Sequence, residues 1–296
     1  MKPFYRGAYY VLLIISLTGC YSLFAKDSSS QKGLLWQIDK PGLTSSYLFG
    51  TIHSEDSRVT QLPPIVDSRF KQADSVSLEL DMSLSNMTKV ASAMFFVGEQ
   101  SLDKLIDKAL FDQIVKAMGE YYIPGMLVKR LKPWAVIATL STPPTKTGEI
   151  LDLQLYQKAQ QLQIPTYGLE TIKEQLAVFE RFSLDEQLIM LKETVMQLDK
   201  MPAIFDKLHE LYLQRDLTAL MRFSIEYMHS SSDNQALVDA FYKRIVDDRN
   251  VRMLDRMEKR LQEGNAFIAV GALHLPGDKG LLNLLQARGY QLSVVY

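Results

Sequence analysis

Short apolar runs that stop at a glycine, a histidine or an acid recur along the chain, and between them apolar residues fall at helical spacing. Residues 34–38 and 46–49 flank a Lys40-Pro41-Gly42 turn and predict a hairpin. A short helix is expected after Pro63-Pro64, then a strand over residues 75–80 that ends on Glu79 and Leu80. A helix over residues 151–163 leads into a strand from Ile164 to Glu170, and a further helix is expected over 171–182. Near the carboxyl end, Phe267-Ile268-Ala269-Val270 reads as a strand, followed by a helix over 278–287 and a last strand over 291–295. Strands that alternate with helices in this way predict an α/β fold with a mixed or parallel central sheet.

The intervening pattern is helical. Leu102, Leu105, Ile106, Ala109 and Leu110 share one spacing, and Leu184, Leu188, Leu191 and Val195 share another. From residue 183 to 264 nearly every segment reads as helix, which predicts a large helical insertion covering the sheet. Charges of both signs between Lys243 and Arg252 suggest a solvated face within it. Pro143-Pro144 interrupts the pattern inside a polar loop. No repeat of 20 to 50 residues is present, which argues against a solenoid.

The amino terminus does not belong to this pattern. Lys2 and Arg6 precede an apolar stretch from Ala8 to Leu17 that ends in Leu17-Thr18-Gly19-Cys20. The layout is that of a secretory signal, too short to span a bilayer as a helix. Its end resembles a bacterial lipobox, in which the cysteine is acylated and becomes the first residue. Cys20 is the single cysteine of the chain, so no intramolecular disulfide exists. Tyr21, rather than an aspartate, follows it, which in this resemblance points to the outer membrane facing the periplasm. The alternative is an ordinary secretory signal cut further on, after Ala25. Residues 21–32 are serine-rich and read as a tether, and residues 33–296 as one domain with 47% apolar content across the chain to build its core. Loss of residues 1–19 removes Lys2 and Arg6, leaving 31 basic residues against 34 acids and a formal charge of −3. Nothing in that balance suggests nucleic acid.

The candidate chemistry sits at strand ends. Gly50-Thr51-Ile52-His53 and Gly271-Ala272-Leu273-His274 each place an imidazole just past a predicted strand, where open α/β sheets build their sites. Glu79 and Glu170 close two further strands. If the four strands are neighbours, His53, Glu79, Glu170 and His274 could converge, and two histidines with a glutamate and an open position form a known catalytic zinc set. Manganese or cobalt suits the oxygen-rich alternative. The bland reading of the same residues is hydrogen-bonding histidines and helix-terminal acids. His209, within a helix, and His229, near a helix end, are assigned structural or surface roles. The chain has no His-Glu-x-x-His helix, no Gly-x-Ser-x-Gly elbow, no phosphate-binding glycine loop and no cysteine pair. Ser54 and Ser77 remain open as nucleophiles.

Several separated motifs together carry a family resemblance: Tyr47-Leu48-Phe49-Gly50-Thr51-Ile52-His53, Leu62-Pro63, Glu79, Lys132-Pro133-Trp134, Gly168-Leu169-Glu170-Thr171 with Gln175, Arg249-Asn250, and Val270-Gly271-Ala272-Leu273-His274-Leu275 with Gly289-Tyr290. In this order they resemble the TraB/GumN family, from about Leu34 to Tyr296. The resemblance implies a fold related to that of haem-binding ChaN and the erythromycin esterases, and an activity like that of the Tiki proteins, which are similar to membrane-anchored, metal-dependent peptidases. It implies a divalent cation (zinc, manganese or cobalt) held by His53, His274 and Glu79. Glu170 is implied as base or support, and Arg249 as a group that stabilises an oxyanion or orients a carboxylate. Lys132-Pro133-Trp134 reads as structural, proline opening a helix and tryptophan burying a large area. The function implied is a cell-envelope hydrolase acting on a peptide or protein. The alternatives are a protein that sequesters a peptide or haem without turnover, and a metal-independent hydrolase built on histidine and glutamate. Lipidation is checked by metabolic labelling: palmitate is expected to mark the full-length chain and to be absent from Cys20→Ser, and equal labelling of both would place the acyl group elsewhere.

Overall fold

The computed structural model describes residues 31–296. The signal segment 1–20 with Cys20, and all but the last two residues of the tether, lie outside the described residues. Six strands form one mixed sheet: β1 Leu35–Asp39, β2 Ser46–Thr51, β3 Ser75–Leu80, β4 Thr166–Glu170, β5 Ala266–Gly271 and β6 Gln291–Val294. Their order is β4-β3-β5-β2-β1-β6. β2, β5, β3 and β4 run parallel, while β1 is antiparallel to both β2 and β6. The four strands expected to deliver site residues are therefore four consecutive neighbours. All are parallel, so their carboxyl ends lie on one edge.

The described chain divides into two compact units. One comprises residues 82–148 and 172–206 and is helical; the other comprises residues up to Asp81, 149–171 and 207–296 and holds the whole sheet. In the helical unit, Pro133 opens the helix Pro133–Leu140, all eight residues of which are buried. Trp134 stacks on Phe179 with ring centroids 5.7 Å apart, the structural role expected of it. The apolar spacing from Leu102 to Leu110 does not form one helix. The Asp107 side chain accepts the Leu110 N–H and starts the helix Lys108–Gly119 afresh, leaving Leu102–Lys104 as a separate 3-10 turn.

In the sheet unit, β5 is buried along its whole length, as a strand covered on both faces must be. Phe267 meets Phe49 of β2 and, edge-on at 5.1 Å, Phe70 of the helix Pro64–Lys71. The stretch 183–264 is helical, as expected, and its helices fall in both units: Leu184–Met196 belongs to the helical unit, and the helix Asp248–Glu263 of the sheet unit lies against β3, β4 and β5. Gly264, at φ +80°, donates to the carbonyls of Arg260 and Leu261 and ends that helix. With Asn265, at φ +46°, it turns the chain straight into β5. The helix thus runs back along the strand it precedes. Its sixteen residues rise about 24 Å, close to the roughly 20 Å of the six-residue strand. That match brings Arg249 and Asn250, at the helix start, level with the carboxyl end of β5. Among the described residues no helix is long and apolar enough to cross a membrane.

Candidate functional site

Across the sheet edge the order is Glu170 on β4, Glu79 on β3, His274 after β5 and His53 after β2. Arg249 joins the first three. Its guanidinium is fully buried, and every N–H is used: Nε donates to Glu170 Oε2 at 2.7 Å, one terminal nitrogen reaches Glu79 Oε2 at 2.7 Å and Glu170 Oε2 at 2.5 Å, and the other reaches the Ile245 carbonyl at 3.2 Å and His274 Nε2 at 3.0 Å. Arg252, one turn on, pairs with Glu170 Oε1 at 2.5 Å. The charges from Lys243 to Arg252 are therefore not all solvated. Lys243 and Asp248 pair at the surface at 2.5 Å, but Arg249 and Asn250 have no exposed area. A π turn, Lys243–Asp247, immediately precedes them and supplies the Ile245 carbonyl that Arg249 uses.

His274 is fully buried and held through both ring nitrogens. Its Nδ1 lies 2.6 Å from Asn250 Oδ1, and the Asn250 amide nitrogen donates to the Lys279 carbonyl at 2.8 Å. That second bond fixes the amide so that Oδ1 faces the ring. Nδ1 therefore carries the proton, and Nε2 accepts from Arg249. Burial, and then the neighbouring guanidinium, push the imidazole down to about 3, so it is neutral at neutral pH.

His53 has the opposite surroundings. Its Nδ1 lies 2.8 Å from Asp152 Oδ2, and Asp152 Oδ1 accepts the Thr51 hydroxyl at 2.8 Å. Burial draws the His53 pKa down, but the Asp152 carboxylate outweighs it and the net shift is upward. No hydrogen bond is made to its Nε2 among the described residues. Asp152 arrives on the helix Leu151–Gln161, whose first N–H bonds the Ser54 carbonyl at 3.3 Å, just past His53. Tyr212 pins the end of β2 by donating to the Gly50 carbonyl at 3.0 Å. The sequence does not single out Asp152, because an acid in the first turn of a helix reads as a complement to the dipole.

Glu79 links the two histidine environments. Its Oε1 accepts the Gly271 N–H at 2.7 Å and lies 3.7 Å from His274 Nε2. A Cβ on Gly271 would stand 3.2 Å from that oxygen, so the first glycine of the second Gly-x-x-His motif is required by the close approach of Glu79. Burial, the largest single influence, raises the Glu79 carboxyl, but Arg249, the neighbouring histidines and the Gly271 N–H together outweigh it and hold it at about 2. Ser54 and Ser77 are buried, and neither hydroxyl bonds an imidazole. His229 contacts Gln235 and Asp239, away from this edge.

The donor chemistry partly suits a cation. Glu79 and Glu170 face two guanidiniums, Arg249 and Arg252, while Asp152 faces His53. Each imidazole is oriented through Nδ1 by a side-chain oxygen, as ligating histidines usually are. His53 Nε2 makes no protein hydrogen bond among the described residues, whereas His274 Nε2 is spent on Arg249. Among the described residues no three histidine, cysteine or acidic side chains are arranged to hold a metal ion.

The model of the TraB/PrgY/gumN family matches residues 34–294. Metalloprotease TIKI2 of Danio rerio is 25% identical over 321 residues, covering 89% of this chain and 62% of the relative. The TIKI2 metalloprotease of Xenopus tropicalis is 23% identical, with 90% and 61% covered. The YbaP protein of Shigella flexneri is 26% identical over 259 residues, with 84% and 90% covered. The chain thus spans about three fifths of the length of the Tiki proteins it matches. No solved structure matches it.

The contrast between the two imidazoles sets a pH dependence of stability. An unfolded histidine takes a proton near 6.5, whereas folded His274 does so only at about 3. Between those values the unfolded chain binds more protons, so stability falls as pH falls. At pH 5 the loss from this group is about 2 kcal/mol relative to pH 7, at 1.36 kcal/mol per unit. His53, with its raised pKa, contributes in the opposite sense: its stabilisation is present below 6.5 and fades as pH rises through the folded value. Urea unfolding with chelator present is expected to show a pH 7 to pH 5 loss that shrinks by about 2 kcal/mol in His274→Asn. The same loss in both proteins would show that this ring is not the group held neutral.

Proposed function

The chain belongs to the TraB/PrgY/gumN family, and from that membership and the buried strand-end site we propose that it is a metal-dependent hydrolase of peptide bonds. The observation that carries this reading is the convergence of His53, Glu79, Glu170, Arg249 and His274 at the carboxyl ends of four adjacent parallel strands. The metalloprotease names of the Tiki relatives support it.

His53 and Glu79 are the residues that would hold a zinc, manganese or cobalt ion, and His274 would join them only by giving up its bond to Arg249. When bound, such an ion polarises a carbonyl and lowers the pKa of a coordinated water toward about 7. Arg249 fixes the Glu79 carboxylate and, because all its N–H groups are engaged, reaches a substrate oxygen only by releasing one of them. Glu170 serves as support: both of its oxygens face guanidiniums, so it anchors Arg249 and Arg252. The same reading places the protein in the cell envelope, exported by residues 1–20 and anchored at the outer membrane through an acylated Cys20. The amino-terminal sequence supports this.

Metal analysis of the purified full-length chain tests the reading. One equivalent of manganese, zinc or cobalt is expected to survive dialysis. His53→Ala and Glu79→Gln are each expected to weaken binding more than about 100-fold, beyond the effect of losing an outer-shell partner, while His229→Ala leaves it unchanged. Cleavage of an unfolded casein substrate should stop with chelator and return with the ion. Cleavage indifferent to chelator, or a wild type that retains no metal, contradicts the proposal.

A further inference from the structure

The two Gly-x-x-His motifs are alike in sequence but not in what holds the ring. Asn250, a neutral amide, holds His274, while a carboxylate holds His53. That carboxylate is itself held, because Thr51 is the second residue of the first motif and its hydroxyl donates to the other oxygen of Asp152. In the second motif the equivalent residue is Ala272, which has nothing to donate. Asp152 and Thr51 are both buried. We propose that Asp152, anchored by Thr51, is the positioning residue that fixes the His53 proton on Nδ1 and presents the bare Nε2 to the reaction site.

The chemistry follows from the hydrogen-bond inventory. A carboxylate only accepts, so His53 must be the donor at Nδ1, and a neutral ring with its proton on Nδ1 has its lone pair on Nε2. That lone pair is required whether Nε2 binds a cation or receives a proton. Without the carboxylate the ring is free to place its proton on Nε2, the wrong tautomer for either task. Thr51 lies at the end of β2, paired with Gly271 in the parallel register, so the anchor is fixed to the sheet rather than to a loop. The tie between Leu151 and Ser54 holds the helix that carries Asp152 against the segment that carries His53. The hydrolytic role of Asp152 rests on the function proposed above; the tautomer does not.

The test is long-range proton–nitrogen correlation spectroscopy of the histidine rings in the 15N-labelled full-length chain, with chelator present and at a pH where the rings are neutral. In the wild type, His53 is expected to show a protonated Nδ1 and an unprotonated Nε2. In Asp152→Ala, which leaves Nδ1 without an acceptor, the proton is expected to move to Nε2 or to average between the nitrogens, while the His274 signals stay in place and report an intact fold. Should Asp152→Ala fail to fold, Thr51→Val keeps the carboxylate but removes its anchor, and partial averaging of the His53 ring is expected. An unchanged His53 tautomer in the folded variants, or averaging already present in the wild type, overturns the proposal. On casein, Asp152→Ala is expected to lower kcat about 10- to 100-fold with KM nearly unchanged, the range seen for partners behind a ligand or base. No cleavage by any form, with the tautomer pattern as expected, would sink the hydrolase reading and leave the positioning role standing.

Discussion

One buried guanidinium organises this protein. Arg249 lies between Glu79 and Glu170 with no exposed surface, and a charge in that position persists only if its partners surround it. Each partner comes from a different part of the chain: β3, β4, the π turn and the segment after β5. The ion pairs therefore fix the relative position of three strand ends and one helix start. They also shape the chemistry of the neighbours: the positive charge favours the ionised form of Glu79 and, after burial, is the next largest influence that keeps His274 neutral.

From that constraint follows a division between the two histidines. His274 is sealed between Arg249 and Asn250 and is a fixed, neutral part of the scaffold as arranged. His53 is held from one side only, by Asp152, and its other nitrogen carries no protein hydrogen bond among the described residues. Similar groups whose surroundings push their properties apart are how one fold assigns different tasks to them. Arg249 occupies the nitrogen of His274 that a cation would need.

Much of this was legible in the sequence. The strands, the hairpin and the placement of two imidazoles and two acids at strand ends follow from apolar runs bounded by glycine, proline and charge, which local physics governs. The adjacency of β4, β3, β5 and β2 does not, since strand order is set by tertiary packing. Arg249 was legible as a residue of interest only through its family motif; by pattern it belongs to a run of mixed charges on a helix, and Lys243 and Asp248 beside it do face solvent. Burial of that one arginine depends on where the helix starts relative to β5, a matter of matched lengths across a turn at Gly264 and Asn265. Asp152 is the clearest omission: its acid is ordinary for a first helical turn, and it reaches His53 through long-range contacts, the tie between Leu151 and Ser54 and the Thr51 hydroxyl. The break at Asp107 shows the reverse error, a capping side chain dividing what apolar spacing alone joins.

The account stands or falls on the buried charge balance, and a stability comparison of charge-altered variants measures it most directly. Arg249→Met alone leaves the buried Glu79 without its guanidinium and Glu170 with Arg252 only, and is expected to cost about 3–5 kcal/mol in urea unfolding at neutral pH. Adding Glu79→Gln and Glu170→Gln removes the orphaned charge and is expected to restore most of that loss. A single variant as stable as the wild type, or a triple variant no better than the single one, would show that Arg249 is not the group around which these strand ends are assembled.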